Sequence, residues 1–269
     1  MRKFYKIFLT FIIISEIFAK DFKIVSLGPY ITKTIYLLGC GDKIVANTVY
    51  CIYPDDAKNK IKVGDLINID IEKIYKLKPD IIFGTPLTNP NYIKRLKELG
   101  MKTLIIEQPK NFEEMKEQFL LIASILERKN FALKIIKEIE EKIGKLLKEA
   151  KYKNKPKVFV QIGSEPLFTA TKDSFINDFI KKAGGINIAE NSPSGLYSIE
   201  NVIKFNPDII IISMEGNFEI EKEKWKKFKN INAVKNNRIY FIDDYKLCSP
   251  TIVEFAETLK TLIEIFKNE

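Results

Sequence analysis

The sequence contains no histidine. That removes imidazole general bases, Ser–His and Cys–His nucleophile pairs and most zinc sites. Arginine is scarce too, limited to Arg2, Arg95, Arg128 and Arg238, although the net charge is +9. Nucleic-acid readers lean on arginine and dense basic patches. Here the excess is lysine spread over helix faces, so no nucleic-acid partner is expected. The cysteines are Cys40, Cys51 and Cys248, and their spacing matches no metal site. Either Cys40 pairs with Cys51, as an oxidising compartment would permit, or these are buried thiols. The single tryptophan, Trp225, lies in a lysine-rich stretch.

Long apolar runs are absent except at the front. "MRKFYK" is basic, "IFLTFIII" is apolar and "SEIFAK" follows, which is a secretory signal pattern. Residues 1–19 are read as a signal peptide with Ala19 the last residue removed; an uncleaved anchor is the alternative. No cysteine lies near Ala19, so the expected product is a periplasmic protein and not a lipoprotein. No later segment reaches transmembrane length.

What is present is a sentence written twice. "DIEKIYKLKPDIIF" begins at Asp70 and "SIENVIKFNPDIII" at Ser198, and they share Ile71/Ile199, Glu72/Glu200, Lys76/Lys204, Pro79/Pro207 and Asp80/Asp208 at a constant offset. Asp70 and Ser198 are good N-caps, which puts Glu72 and Glu200 in a first helical turn, where the helix dipole favours a carboxylate. Ile71, Ile74 and Tyr75, and then Ile199, Val202 and Ile203, give an apolar helical stripe. Each helix must stop before its proline, and "DIIF" and "DIIII" read as buried parallel strands. Each copy is helix, turn, strand, and the spacing is far too long for a solenoid.

The rest alternates strand and helix, which implies parallel sheets. "NFALKIIKEIEEKIGKLLKEAK" has apolar residues at helical spacing and reads as one amphipathic helix of about 22 residues, roughly 33 Å long. Asn111 and Glu114 form a capping box for the helix before it. The expected organisation is α/β: an N-terminal lobe over 20–128, a long connecting helix over 129–152 and a C-terminal lobe over 153–269. Each lobe is expected to be a parallel-sheet sandwich.

Open α/β sheets bind ligands beyond the carboxyl ends of their strands. The predicted strand ends carry Tyr30, Tyr50, Tyr53, Thr85, Phe168, Asp243 and Tyr245, with Tyr197 before the second repeat helix. Two lobes facing each other across these loops would form an aromatic cleft for a large, flat, partly apolar ligand. Glu72 and Glu200 read either as ordinary helix stabilisers or as two matched anionic docking points. An exported chelatase-like enzyme would have to rest its acid–base chemistry on Asp243, Asp244, Glu165 or Glu215. No nucleophile constellation is visible, and the expectation is that the chain is not an enzyme.

"IVSLGPYIT", "NIDIEKIYKLKPDIIF", "PLFTATKDSFINDFIKKAGGINIA", "YSIENVIKFNPDIIII" and "FIDDYKLCSP" together resemble the periplasmic substrate-binding proteins of ABC importers for vitamin B12, haem and ferric siderophores. The likeness is strongest to the cobalamin-binding members. It implies the class III architecture, two lobes on one long helix. It implies a corrinoid or other metal-chelate ligand, no resident cofactor, and a monomeric receptor that docks on a permease dimer in the inner membrane. By this resemblance Glu72 and Glu200 meet the permease, Tyr50 matches a B12-contacting tyrosine and Asp243 a polar contact. The positions of the group's cleft tryptophans fall on Leu66, Thr85 and Ser194, and an arginine of its pattern falls on Leu247.

Overall fold

The computed structural model describes residues 22–149, 155–214 and 216–267. The expected signal segment, the end of the expected connecting helix at 150–152, and Glu215 lie outside the described residues. The described residues form two compact units, one within residues 22–32 and 40–106 and one within residues 33–39 and 107–267.

The first unit is built on β1 (Ile24–Ser26), α1 (Pro29–Leu37), β2 (Ile44–Asn47), α2 (Asp55–Lys58), β3 (Ile61–Lys62), α3 (Ile71–Leu77), β4 (Ile81–Gly84), α4 (Pro90–Glu98) and β5 (Thr103–Ile105). The second half of α1 is grouped with the second unit. Its five strands run in the order β3-β2-β1-β4-β5, all parallel. β1 and β4 are buried throughout, as the unbroken apolar runs require. Val25, Leu27, Ala46, Ile74, Ile82 and Leu96 form the core between the sheet and α3 and α4.

The second unit contains α5 (Phe112–Ile125), α6 (Lys129–Glu149), β6 (Lys157–Gln161), β7 (Gly163–Ser164), β8 (Leu167–Phe168), α7 (Phe175–Lys182), β9 (Ile186–Asn187), α8 (Ile199–Phe205), β10 (Ile209–Ile212), α9 (Phe218–Lys226), α10 (Asn232–Lys235), β11 (Ile239–Phe241), α11 (Asp244–Leu247) and α12 (Ile252–Lys267). Its parallel sheet has the order β11-β10-β6-β9, and β7 and β8 form a separate antiparallel hairpin. All four isoleucines of β10 are buried, each contributing about 1.5–3 kcal/mol before the entropy of ordering is counted. The long helix α6 packs on α5 and α12, so the packing divides the chain at Ile106, earlier than the sequence boundary at 128. Ala132, Ile136, Ile139, Ile143 and Leu146 are its buried face. Phe179 and Phe255 stack at 4.1 Å, joining α7 to α12.

The repeat folds twice in the same way. Asp70 accepts from the Lys73 N–H at 2.9 Å and Ser198 Oγ from the Asn201 N–H at 3.2 Å. Lys78 (φ 49) and Asn206 (φ 47) end the helices in the left-handed region. The shared aspartates each pin the strand alongside: Asp80 accepts from the Lys23 N–H and Asp208 from the Lys157 N–H, both at 2.9 Å. The expected apolar stripe is corrected. Only Ile74 and Val202 are buried, while Tyr75 is 56% and Ile203 43% exposed.

Candidate functional site

In a parallel sheet every strand delivers its following loop to one edge, and the reversal of strand order opens a crevice there. In the first unit that reversal lies between β1 and β4. Gly28 follows β1, and a β-carbon on it would come within 2.6 Å of Thr85 Cγ2 after β4. Glycine is therefore what lets the two loops meet. Tyr30 continues from Gly28 into α1, and Tyr50, exposed, follows the neighbouring β2. Thr85 Oγ1 is buried with no hydrogen-bond partner among the described residues. The structure thus brings Tyr30, Tyr50 and Thr85 to one edge of adjacent strands. Beneath them Thr32 Oγ1 donates to Ser26 Oγ at 2.8 Å and bonds Cys51 Sγ at 3.2 Å.

In the second unit the reversal lies between β6 and β10. β6 runs into the β7–β8 hairpin, which the sequence did not reveal. Leu196 bridges Phe168, Thr169 N–H donates to Gly195 O at 2.8 Å, and Tyr197 N–H to Leu167 O at 3.0 Å. The Phe168 ring lies over Gly195, where a β-carbon would sit 2.3 Å from its Cε1. Phe168 remains 41% exposed. Tyr197 instead turns inward, its ring stacked on Phe159 at 5.7 Å and its hydroxyl donating to Ile188 O at 3.3 Å. Burial raises its pKa. Asp243 caps α11 by accepting from Lys246 N–H at 3.2 Å. The carbonyl of Tyr245, on the same turn, receives Lys33 Nζ at 2.9 Å.

Sequence reasoning missed a polar cluster at the end of β6. Gln161 donates to Glu221 Oε2 at 2.8 Å and accepts from Trp225 Nε1 at 2.6 Å. Ser164 of the hairpin donates to the same carboxylate at 2.9 Å, and Lys224 reaches its other oxygen at 2.8 Å. Burial pushes the Glu221 pKa up, but hydrogen bonds from Lys224, Gln161 and Ser164 outweigh it and hold the carboxyl below its usual range. With Leu167 and Ile199 these groups line a cavity of about 170 Å³. Trp225, buried, is therefore a core residue bonded to the carboxyl end of β6. The signal was the placement of Glu221 and Trp225 four residues apart on one helix face.

Glu72 and Glu200 are exposed in the first turns of α3 and α8. The Glu200 carboxyl is held below its usual range by its own backbone N–H and by Ser198. Among the described residues no cluster of three or more histidine, cysteine, aspartate or glutamate side chains is arranged to hold a metal. No helix among them is long and apolar enough to cross a membrane.

The three cysteines are thiols, with no disulfide. Cys40 and Cys51 are fully buried, and burial pushes the Cys248 thiol up to about 11. Thiolate is the reactive form, so a chromogenic thiol reagent at neutral pH should label none of the three in the folded protein and all three in denaturant. Rapid labelling of the native state would contradict this burial.

The sequence profile of the periplasmic binding protein family matches residues 24–246. This chain belongs to that family. It is 30% identical over 247 residues to an uncharacterized ABC transporter substrate-binding lipoprotein of Bacillus subtilis (strain 168), covering 88% of this chain and 78% of the relative. It is 27% identical over 270 residues to the vitamin B12-binding protein of Vibrio cholerae, covering 97% of each. A solved structure of a possible iron-binding (periplasmic solute-binding) protein from Staphylococcus epidermidis ATCC 12228 superposes with a TM-score of 0.79 at 30% identity, covering 92% of this chain and 99% of that one. The fold is that of class III periplasmic binding proteins. The Bacillus subtilis relative corrects one expectation. It is named a lipoprotein, which contradicts the reading of a free periplasmic protein that is not a lipoprotein. That reading rested on cysteine placement in a segment outside the described residues, and it is withdrawn.

Proposed function

We propose that this chain is the ligand receptor of an ABC importer and that its cargo is a cobalamin-like corrinoid. The observation that carries the cargo is the set of groups that each unit, taken by itself, presents at the carboxyl edge of its sheet. Tyr30, Tyr50 and Phe168 supply rings, and Thr85 and Asp243 supply single polar atoms. That composition suits a large ring system with a few polar substituents. The charges agree. Anionic siderophores call for arginine, yet Arg95 lies on α4, Arg128 follows α5, and Arg238 precedes β11 with Nη2 donating to Ile265 O at 3.0 Å. None is at a carboxyl edge. The full-length similarity to a vitamin B12-binding protein supports the same reading. The importer assignment draws on the relative named as an ABC transporter substrate-binding lipoprotein, and Glu72 and Glu200 are the proposed contacts to the permease.

The experiment is an absorption titration of the protein with hydroxocobalamin, checked by calorimetry. Saturable one-to-one binding is expected, with Kd on the order of a micromolar or tighter. Tyr50→Ala should weaken it about tenfold, the loss of one ring contact worth about 1.4 kcal/mol. A second reading keeps the receptor and changes the cargo to a ferric chelate or haem, favoured by the solved relative described as a possible iron-binding protein. Hydroxocobalamin that leaves the spectrum unchanged, beside a ferric siderophore or haem that binds, would select it.

A further inference from the structure

The exposed stripe of the repeat helices needs an explanation, because burying apolar surface stabilises a fold and these residues forgo it. Tyr75 and Ile203 occupy the same place in the two copies, and both are left in solvent. Each borders an open groove beside a docking helix. In the first unit the groove is about 480 Å³, lined by Ile71, Glu72, Tyr75, Lys76, Arg95 and Leu99. In the second it is about 290 Å³, lined by Ile203, Lys227, Phe228, Lys229, Asn230 and Ile231. Both grooves run between the repeat helix and the end of the next helix, α4 or α9. Both combine an apolar floor with two cations, Lys76 and Arg95 in one, Lys227 and Lys229 in the other.

From this pairing we infer that the two grooves are the apolar anchor points of the permease interface. Each receives one large apolar side chain of the permease with an acidic group beside it, while Glu72 or Glu200 takes a basic one. This rests on the docking reading above and extends it. Exposed apolar surface rimmed by charge marks interaction sites, and a buried apolar anchor within a charged rim is where interface energy concentrates. Charge complementarity selects the occupant. Glu72 shares its groove with Lys76 and Arg95, and Lys227 and Lys229 line the other, so the partner must bring anions as well as the cations that meet the glutamates. The glutamates then set orientation and encounter rate, and the grooves set residence time.

The test measures binding of the full chain to the source organism's importer, reconstituted in nanodiscs. The variants are Tyr75→Asp, Ile203→Asp, their combination, and Lys227→Glu with Lys229→Glu. The two apolar positions are solvent-facing, so folding should be unaffected, which a melting curve checks. Each aspartate variant should dissociate about tenfold faster, the combination more than a hundredfold faster, and the lysine reversal about tenfold faster. Hydroxocobalamin affinity should not change. If the combined variant binds like the parent while reversal of Glu72 and Glu200 removes docking, the grooves are idle and only this inference is lost. If neither set of changes alters binding, the docking reading falls as well. A concentration-dependent dimer of this chain that the same aspartates dissolve would assign the grooves to a second copy and overturn the inference.

Discussion

Glu254→Gln is expected to destabilise the protein by about 3 kcal/mol, lowering Tm by roughly 6–12 °C. Lys33 is buried, its side chain 5% exposed, and its ammonium bonds Glu254 Oε2 at 2.8 Å and Tyr245 O at 2.9 Å. The glutamine keeps the shape and one acceptor but leaves a buried cation without its counter-ion. Removing one partner of such a pair costs far more than the pair contributes. Lys33→Met together with Glu254→Gln should therefore recover most of the loss. The pH profile supplies an independent check. Burial lowers the Lys33 pKa below its ordinary 10.5, against the opposing pull of Glu254, Asp243 and Asp244. Between that lowered value and 10.5 the unfolded chain holds more protons than the folded one, so stability rises with pH through this window. Without Glu254 the folded value drops further. The variant should begin to gain stability at a lower pH than the parent. Chemical denaturation from pH 6 to 10 reads both effects, and a variant as stable as the parent throughout would mean the pair is not buried as described.

Reversing both docking charges, Glu72→Lys with Glu200→Lys, should weaken binding to the importer by more than a hundredfold. Each change would turn the proposed attraction into a like-charge contact, and the two residues lie on different helices, so their effects should multiply. Both residues are exposed, so Tm and hydroxocobalamin affinity should stay at parent values. The parent's association rate should also fall as salt is raised, because exposed charges are screened beyond about 8 Å at physiological ionic strength. Surface plasmon resonance against nanodisc-held importer measures both. Retained binding in the double variant would remove the glutamates from the interface.

The repeated sentence made much of this architecture legible. Asp70, Ser198, Pro79 and Pro207 announce where each copy starts and stops, because capping and proline sterics are local and survive in any context. The capping box at Asn111 is present, with a difference. Glu114 N–H donates to Asn111 Oδ1 at 2.9 Å, but the Glu114 carboxylate reaches Lys110 N–H rather than that of Asn111. Tertiary features were not legible. Periodicity marks Tyr75 and Ile203 as core because it records spacing, and says nothing of whether a neighbour arrives to cover them. Two-residue strands such as β3, β7 and β8 are too short to have a pattern. Lys33 sits in an apolar helix with its partner in the last helix, and no sequence rule joins two charges so far apart. At the candidate site Tyr30, Tyr50 and Phe168 were findable from strand ends, whereas the inward turn of Tyr197 depends on a packing contact with Phe159.

The antiparallel ladder around Phe168 and the turn at Gly64 tie the two repeat copies to strand ends by different routes. Phe168 rests on Gly195, and the backbone from Gly195 to Tyr197 is hydrogen-bonded along the hairpin before it enters Ser198 and the first turn of α8. That ring is joined to the first turn of α8 by a short hydrogen-bonded segment. In the first unit the segment before α3 closes on itself, with Gly64 bridging Ile69 and Asp65 N–H bonded to Asn68 O at 2.9 Å. It is also tied to the end of β2, where Val49 N–H donates to Gly64 O and Val63 N–H to Asn47 O, both at 2.9 Å. Each glutamate therefore sits one short hydrogen-bonded segment away from a strand end, so neither copy is insulated from what happens at its own sheet edge.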